Sequence, residues 1–233
     1  MTVEIEVVED PARACGAMLV GASLGGGHVV LTGGSTPRAA YGELVAAVKS
    51  VGLDLSDTTY WLGDERCVPP GDDRANSRMI EESLLAPLAG VTEPTFKRIK
   101  GELGPDQGAD DYERELTEAG PPRFDLLLLG VGPDGHTASL FPDQPTVSDR
   151  SRLVVGVEMS GLEPFVPRVT LSFEAIARAR RVVVLVSGES KAEAVAAAFG
   201  RGARPDPHIP SSYLPEVAKE LLVLTDPAGA GRL

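Results

Sequence analysis

The stretch FDLLLLGVGPDGHTASLFP, Phe124 to Pro142, decides the fold. Four consecutive leucines, Leu126 to Leu129, form a short apolar run bounded by glycine and proline. That is the pattern of a strand buried on both faces in a parallel sheet. The run stops at Gly130, and Gly132, Pro133 and Gly135 then impose a tight turn that holds Asp134 and His136. An acidic residue and a histidine at the carboxyl end of a central parallel strand stand where open α/β sheets bind their ligands. In isolation, Asp-Gly-His reads equally well as a capped turn with an ordinary loop histidine. Here the chain holds only three histidines, and this one follows its most apolar strand, so the functional reading is favoured.

Outward from that strand the chain alternates strands and helices. Val3 to Val8 alternates apolar and charged residues, as an edge strand does, and Asp10-Pro11 caps a helix with Ala14, Cys15, Met18, Leu19 and Ala22 inward. His28 to Leu31 is a second strand, and the helix after Pro37 turns Ala40, Leu44, Ala47, Val48 and Val51 inward. Thr58 to Leu62 reads as a strand, Asn76 to Leu88 as a helix, Phe96 to Ile99 as a weak strand, and Asp106 to Ala119 as an acidic, exposed helix. Beyond the central turn, Leu153 to Val157, Arg168 to Phe173, Arg181 to Val186 and Leu221 to Leu224 are strand candidates. Short helices are expected over Glu174 to Ala179 and Ala192 to Phe199, and a frayed tail over Pro227 to Leu233. With no repeat and no composition shift, one α/β domain spanning 1–233 is expected. Its form is a Rossmann-like open, mainly parallel sheet with helices on both faces.

Composition narrows the function. At 233 residues and 42% apolar, the chain can bury a sizeable core. Its formal net charge of −12 argues against a nucleic-acid partner, and an anionic substrate would need a local basic pocket. Cys15 and Cys67 lie far apart, show no metal-ligand spacing and read as reduced, buried filler. MTVEIEVVED lacks a basic start followed by an apolar core, so no signal peptide is expected. No apolar run approaches the ~20 residues of a membrane helix. A soluble cytoplasmic protein is expected, and with no apolar stripe left over for a partner, a monomer.

Four turns carry candidate chemistry. Thr32-Gly33-Gly34-Ser35-Thr36-Pro37 joins a strand to a helix. Free N–H groups of the first helical turn, with the Ser35 and Thr36 hydroxyls, suit a phosphate. The motif is neither a Walker loop nor a dinucleotide fingerprint, and it reads equally as a tight turn with a Ser or Thr cap. Arg66, in Asp64-Glu65-Arg66, is placed to clamp an anionic oxygen on the same rim; without context it reads as a surface ion pair with Asp64, Glu65, Asp72 or Asp73. Arg168 and Lys191 are further cationic candidates, though a lone Lys or Arg is usually a solvated charge. His28 and His208 receive no role. No serine elbow and no cluster with metal-ligand spacing occurs, so a histidine base acting on water is the most economical chemistry.

At these residues the sequence resembles the 6-phosphogluconolactonases. GGSTP at 33–37, GDERCVP at 63–69, ANSRMIEESLL at 75–85, GVGPDGHTASLFP at 130–142, RVTLSF at 168–173 and SGESKAEAV at 187–195 carry the resemblance. It implies the fold shared with glucosamine-6-phosphate deaminase and ribose-5-phosphate isomerase. It also implies cytosolic hydrolysis of 6-phosphogluconolactone in the oxidative pentose phosphate pathway, with no cofactor or catalytic metal. The deaminase is the nearest rival, but its central turn resembles D-G-H-I-A-F-N-E-P, and this chain lacks the glutamate that follows there. A non-catalytic sugar-phosphate sensor on the same fold is the other alternative. Under the lactonase reading, His136 activates water, Asp134 orients the imidazole or a loop amide, and Arg66 or amides of the Gly130 to Gly135 turn receive the oxyanion. Gly33, Gly34, Ser35 and Thr36 hold the phosphate, helped by Arg168 and Lys191. The C-terminal part, IPSSYLPEVAKELLVLTDPAGAGRL, fits less well, which leaves Ser211 and Ser212 without an assigned role.

Overall fold

Residues 3–120 and 123–233 are described by a computed structural model; Met1 and Thr2, which open the N-terminal stretch read above, fall outside them. In chain order the elements are β1 (Val3–Val7), α1 (Pro11–Ser23), β2 (His28–Leu31), α2 (Ser35–Val51), β3 (Thr59–Leu62) and β4 (Asp64–Arg66). Then come α3 (Asn76–Ile80), α4 (Ala86–Leu88), β5 (Thr95–Lys97), α5 (Pro105–Glu118), β6 (Leu126–Leu129), β7 (Val154–Val157) and β8 (Arg168–Leu171). The chain closes with α6 (Phe173–Ile176), β9 (Arg181–Val186), α7 (Ala192–Phe199), α8 (Leu214–Val217) and β10 (Leu221–Thr225).

Seven strands pair in parallel in the order β1-β10-β9-β6-β2-β3-β5. All four leucines of β6 are buried, as a central strand covered on both faces requires. Leu31 pairs with Leu62, Val30 with Leu127, and Leu129 with Val184, so β2, β3, β6 and β9 run in step. Parallel strands in step release their following turns at one edge. From β2 the sheet grows through β3 and β5, and from β6 it grows the other way through β9 and β10. The switch point therefore lies between β2 and β6, where open sheets place their ligands.

Several local expectations need correction. Asp64–Arg66 is not a turn but a strand: β4 pairs antiparallel with β8, and β8 with β7, in a separate three-stranded sheet. The helix from Asn76 to Leu88 is broken by a π turn over Glu81–Leu85, where Ala86 N–H reaches back to the Glu81 carbonyl. Pro87 follows at once and has no N–H for an α-helical bond. Val51 is exposed; it ends α2, and Gly52, left-handed at φ 65°, turns the chain away. The acidic helix α5 is exposed on one side only. It buries Ala109, Tyr112 and Leu116, and the Tyr112 hydroxyl accepts from Leu62 N–H at 2.8 Å and donates to the Leu62 carbonyl at 3.0 Å. An aromatic ring outweighs the acidic composition around it, since its area leaves water only on that side. Nor is the tail frayed: Asp226 accepts from Ser187 Oγ at 2.6 Å and from Gly229 N–H at 2.7 Å, which ties it in tight turns. Among the described residues, no helix is long and apolar enough to cross a membrane.

Candidate active site

At the switch point the turns enclose a cleft of about 240 Å³, lined from the turn after β2, from β4, from the start of α3, and from the turns after β6 and β9. The first wall is Thr32 to Pro37. Buried Tyr41 pins its root, accepting from Thr32 N–H at 3.0 Å and donating to the Thr32 carbonyl at 2.7 Å. Gly33 lies flat against Asn76: a Cβ there would stand 2.0 Å from Asn76 Oδ1, so only glycine fits. Gly34 occupies the N-cap with φ 115°, and no side chain caps the first turn of the 17-residue helix α2. Its leading amides are free, and the helix dipole favours an anion there.

The opposite wall carries the titratable groups. In the turn after β6, His136 Nδ1 lies 2.5 Å from Asp134 Oδ1, and the same oxygen accepts from His136 N–H at 3.2 Å. The imidazole sits over Gly132, where a Cβ would be 2.0 Å from Nδ1, and its centroid lies 4.9 Å from the Phe141 ring. Burial pushes the Asp134 carboxyl up, but the imidazole and backbone amides prevail and hold it below its ordinary value. His136 lines the cleft while Asp134 stands behind it. Two amides of this turn are already engaged, Gly132 N–H with the His136 carbonyl at 2.9 Å and Gly135 N–H with the Gly132 carbonyl at 3.0 Å. Neither is free for an oxyanion, which narrows the expected donor set.

Between the walls stands β4. Glu65 is buried and caps α3, accepting from Asn76 N–H at 2.7 Å and Ser77 N–H at 2.8 Å; burial raises its pKa against those bonds. Arg66 lines the cleft and donates to the Arg74 carbonyl at 2.6 Å. The surface ion pairs open to it are made elsewhere: Asp72 pairs with Arg74, and Asp73 with Arg78. Lys191, from the turn after β9, also lines the cleft; burial lowers its pKa, opposed by the charge of Asp134.

The structure thus brings Gly33, Gly34, Ser35, Thr36, Arg66, His136 and Lys191 around one cleft. Arg168 is placed differently. It is 3% exposed, is not among the lining residues, and donates through Nη2 to the Pro164 carbonyl at 2.7 Å and to Ser160 Oγ at 3.2 Å. It stands beside Arg66 across the β4–β8 ladder, and burial, then repulsion from Arg66, brings its pKa down to about 10. The C-terminal segment proves to be a buttress: Ser211 N–H donates to the Gly135 carbonyl at 2.9 Å, and Ile209 packs on Gly135. Sequence reading passed over Asp64, Asn76 and Ser139. Asp64 is 7% exposed, lines the cleft, and accepts from Ser139 Oγ at 2.7 Å and from Asn76 Nδ2 at 3.3 Å. All three lie inside the motifs quoted above, but nothing local marks them as partners.

The family described as glucosamine-6-phosphate isomerases/6-phosphogluconolactonase matches residues 7–223. A 6-phosphogluconolactonase of Streptomyces coelicolor is 39% identical over 189 residues, covering 76% of this chain and 72% of that protein. The solved structure of a 6-phosphogluconolactonase from Trypanosoma brucei superposes with a TM-score of 0.83 at 27% identity, covering 100% of this chain and 99% of the other. A monomeric glucosamine-6-phosphate deaminase superposes with a TM-score of 0.85 at 19% identity over 100% of both chains, a likeness of fold alone.

Proposed function

The chain belongs to the glucosamine-6-phosphate isomerase/6-phosphogluconolactonase family, and from that premise we propose that it hydrolyses 6-phospho-D-glucono-1,5-lactone to 6-phosphogluconate. The reaction belongs to the oxidative pentose phosphate pathway, and in this reading it runs in the cytoplasm, on a monomer folded as one α/β unit. A single observation carries the reading: the Asp134-backed imidazole of His136 and the uncapped glycine turn before α2 line one small cleft.

The contact with Asp134 supports one division of roles between the two ring nitrogens. A carboxylate accepts at Nδ1, so Nδ1 carries the proton and Nε2 presents its lone pair to the cleft. Nε2 takes a proton from water as the oxygen bonds to the lactone carbonyl carbon. The carbonyl electrons move onto oxygen, and the Arg66 guanidinium stabilises that oxyanion. As the tetrahedral intermediate collapses, the C1–ring oxygen bond breaks, and the imidazolium returns its proton to the departing oxygen. Asp134 holds the ring and stabilises its charged form. The phosphate lies on the amides before α2 with the Ser35 and Thr36 hydroxyls, and Lys191 supplies the local positive charge that the net-negative chain does not. Arg168, set back from the cleft and bonded to the Pro164 carbonyl, adds positive charge behind Arg66 and does not itself touch the phosphate.

The test is a spectrophotometric assay with freshly made 6-phosphogluconolactone, corrected for spontaneous opening. Saturable acceleration is expected. No acceleration over the spontaneous rate, or ammonia release from glucosamine 6-phosphate, would overturn the reading.

A further inference from the structure

We infer that Asp64 determines specificity: its carboxylate accepts a hydrogen bond from a ring hydroxyl of the substrate. The inference rests on the lactone reading above, and it adds a residue that the water-activation chemistry does not use. Among the described residues that line the cleft, Asp64 is the one acidic residue. It is 7% exposed, and its two side-chain hydrogen bonds come from neutral donors, the Ser139 hydroxyl at 2.7 Å and the Asn76 amide at 3.3 Å. A carboxylate offers about four acceptor sites, so these two bonds leave others open on a side chain that lines the cleft. The phosphate cannot fill them, because it brings negative charge and no proton to donate. The lactone carbonyl and the ring oxygen cannot, because they too are acceptors. The substrate's remaining polar groups are hydroxyls, which donate.

The position of Asp64 is fixed from both walls. Ser139 belongs to the same turn as His136, and Asn76 is the residue on which Gly33 lies. A hydroxyl held at Asp64 is therefore registered at once against the base and against the phosphate cradle. A polyhydroxylated ring is selected over a bare lactone because only the former satisfies the carboxylate.

The experiment compares the parent phospholactone with analogues in which each ring hydroxyl in turn is replaced by hydrogen or by fluorine. Fluorine keeps a weak acceptor but cannot donate. At one position, both replacements are expected to lower kcat/KM of the unmodified protein roughly 10- to 100-fold, the span of a hydrogen bond to a charged group. In Asp64→Asn that gap should shrink to about threefold or less, while inhibition by inorganic phosphate stays as in the unmodified protein. The inference is overturned if no replacement matters, if fluorine restores what hydrogen loses, or if D64N keeps the full gap. The fluorine series needs no variant, so it decides even if D64N does not fold. Failure to hydrolyse the parent lactone at all would instead remove the reading beneath it.

Discussion

The turn after β2 and the turn after β6 leave neighbouring parallel strands at the same edge, yet they are built in opposite ways. The first runs straight into a helix without a side-chain cap, so it offers backbone amides and a dipole, none of which titrates. The second meets no helix. Its glycines and proline fold it back on itself, and it presents one imidazole against one carboxylate. Both need a glycine where another residue's polar side chain comes within 2.0 Å of a would-be Cβ: Asn76 on Gly33, His136 on Gly132. Under the proposed function, a single sheet edge divides labour: backbone would recognise a fixed charge, and side chains would carry out proton transfer.

Substitutions on each side sharpen that division. Replacing His136 with Ala should give the largest effect, a fall in kcat of at least ~10²-fold with KM little changed. Steady-state kinetics checks it, and near-full turnover would put the base elsewhere. Asp134→Asn keeps the ring but removes its charged partner, and kcat should fall about 10-fold, as expected for losing a hydrogen bond to a charged group. Gly33→Ala tests the other wall. The new methyl must displace Asn76, so KM should rise and stability fall by about 1–3 kcal/mol, read by kinetics and by denaturant unfolding. A loss of kcat alone in that variant would break the comparison.

The smallest effect is one of pH. Burial lowers the pKa of Lys191 below its ordinary 10.5, so its charge is present at neutral pH and lost as pH rises through the lowered value. Binding of 6-phosphogluconate, followed calorimetrically, should weaken in the alkaline range before a free lysine would titrate. Lys191→Arg should abolish that step. For stability the sign is opposite to that of a paired lysine. The folded state disfavours the charged form, and this cost disappears as pH climbs from the folded value toward the unfolded one. Stability that fell through that window would contradict the burial argument.

Much of the fold can be read locally. The leucine run of β6, the apolar runs of β2 and β9, and the Asp10-Pro11 cap all announce themselves within a few residues; Asp10 does accept from Arg13 N–H, at 3.0 Å. The glycine turn and the Asp-Gly-His turn are legible for the same reason, since glycine and proline punctuate the chain where they stand. Tyr112 was not, because its side chain bonds to strand β3, 50 residues away. Asp64 and Ser139 are 75 residues apart, and each alone reads as an unremarked polar residue. Arg168 looked like a free cation until β8 paired with β4 and withdrew it from water.

By itself, then, the sequence marked most of the strands and helices and the two glycine turns at the sheet edge, because periodicity, capping and turn chemistry act over a few residues. The tertiary structure decided which of those groups face the cleft and which are spent on neighbours. A buried polar atom takes its partner from wherever the chain returns, and that return is set by the packing of the whole sheet, not by the residues on either side.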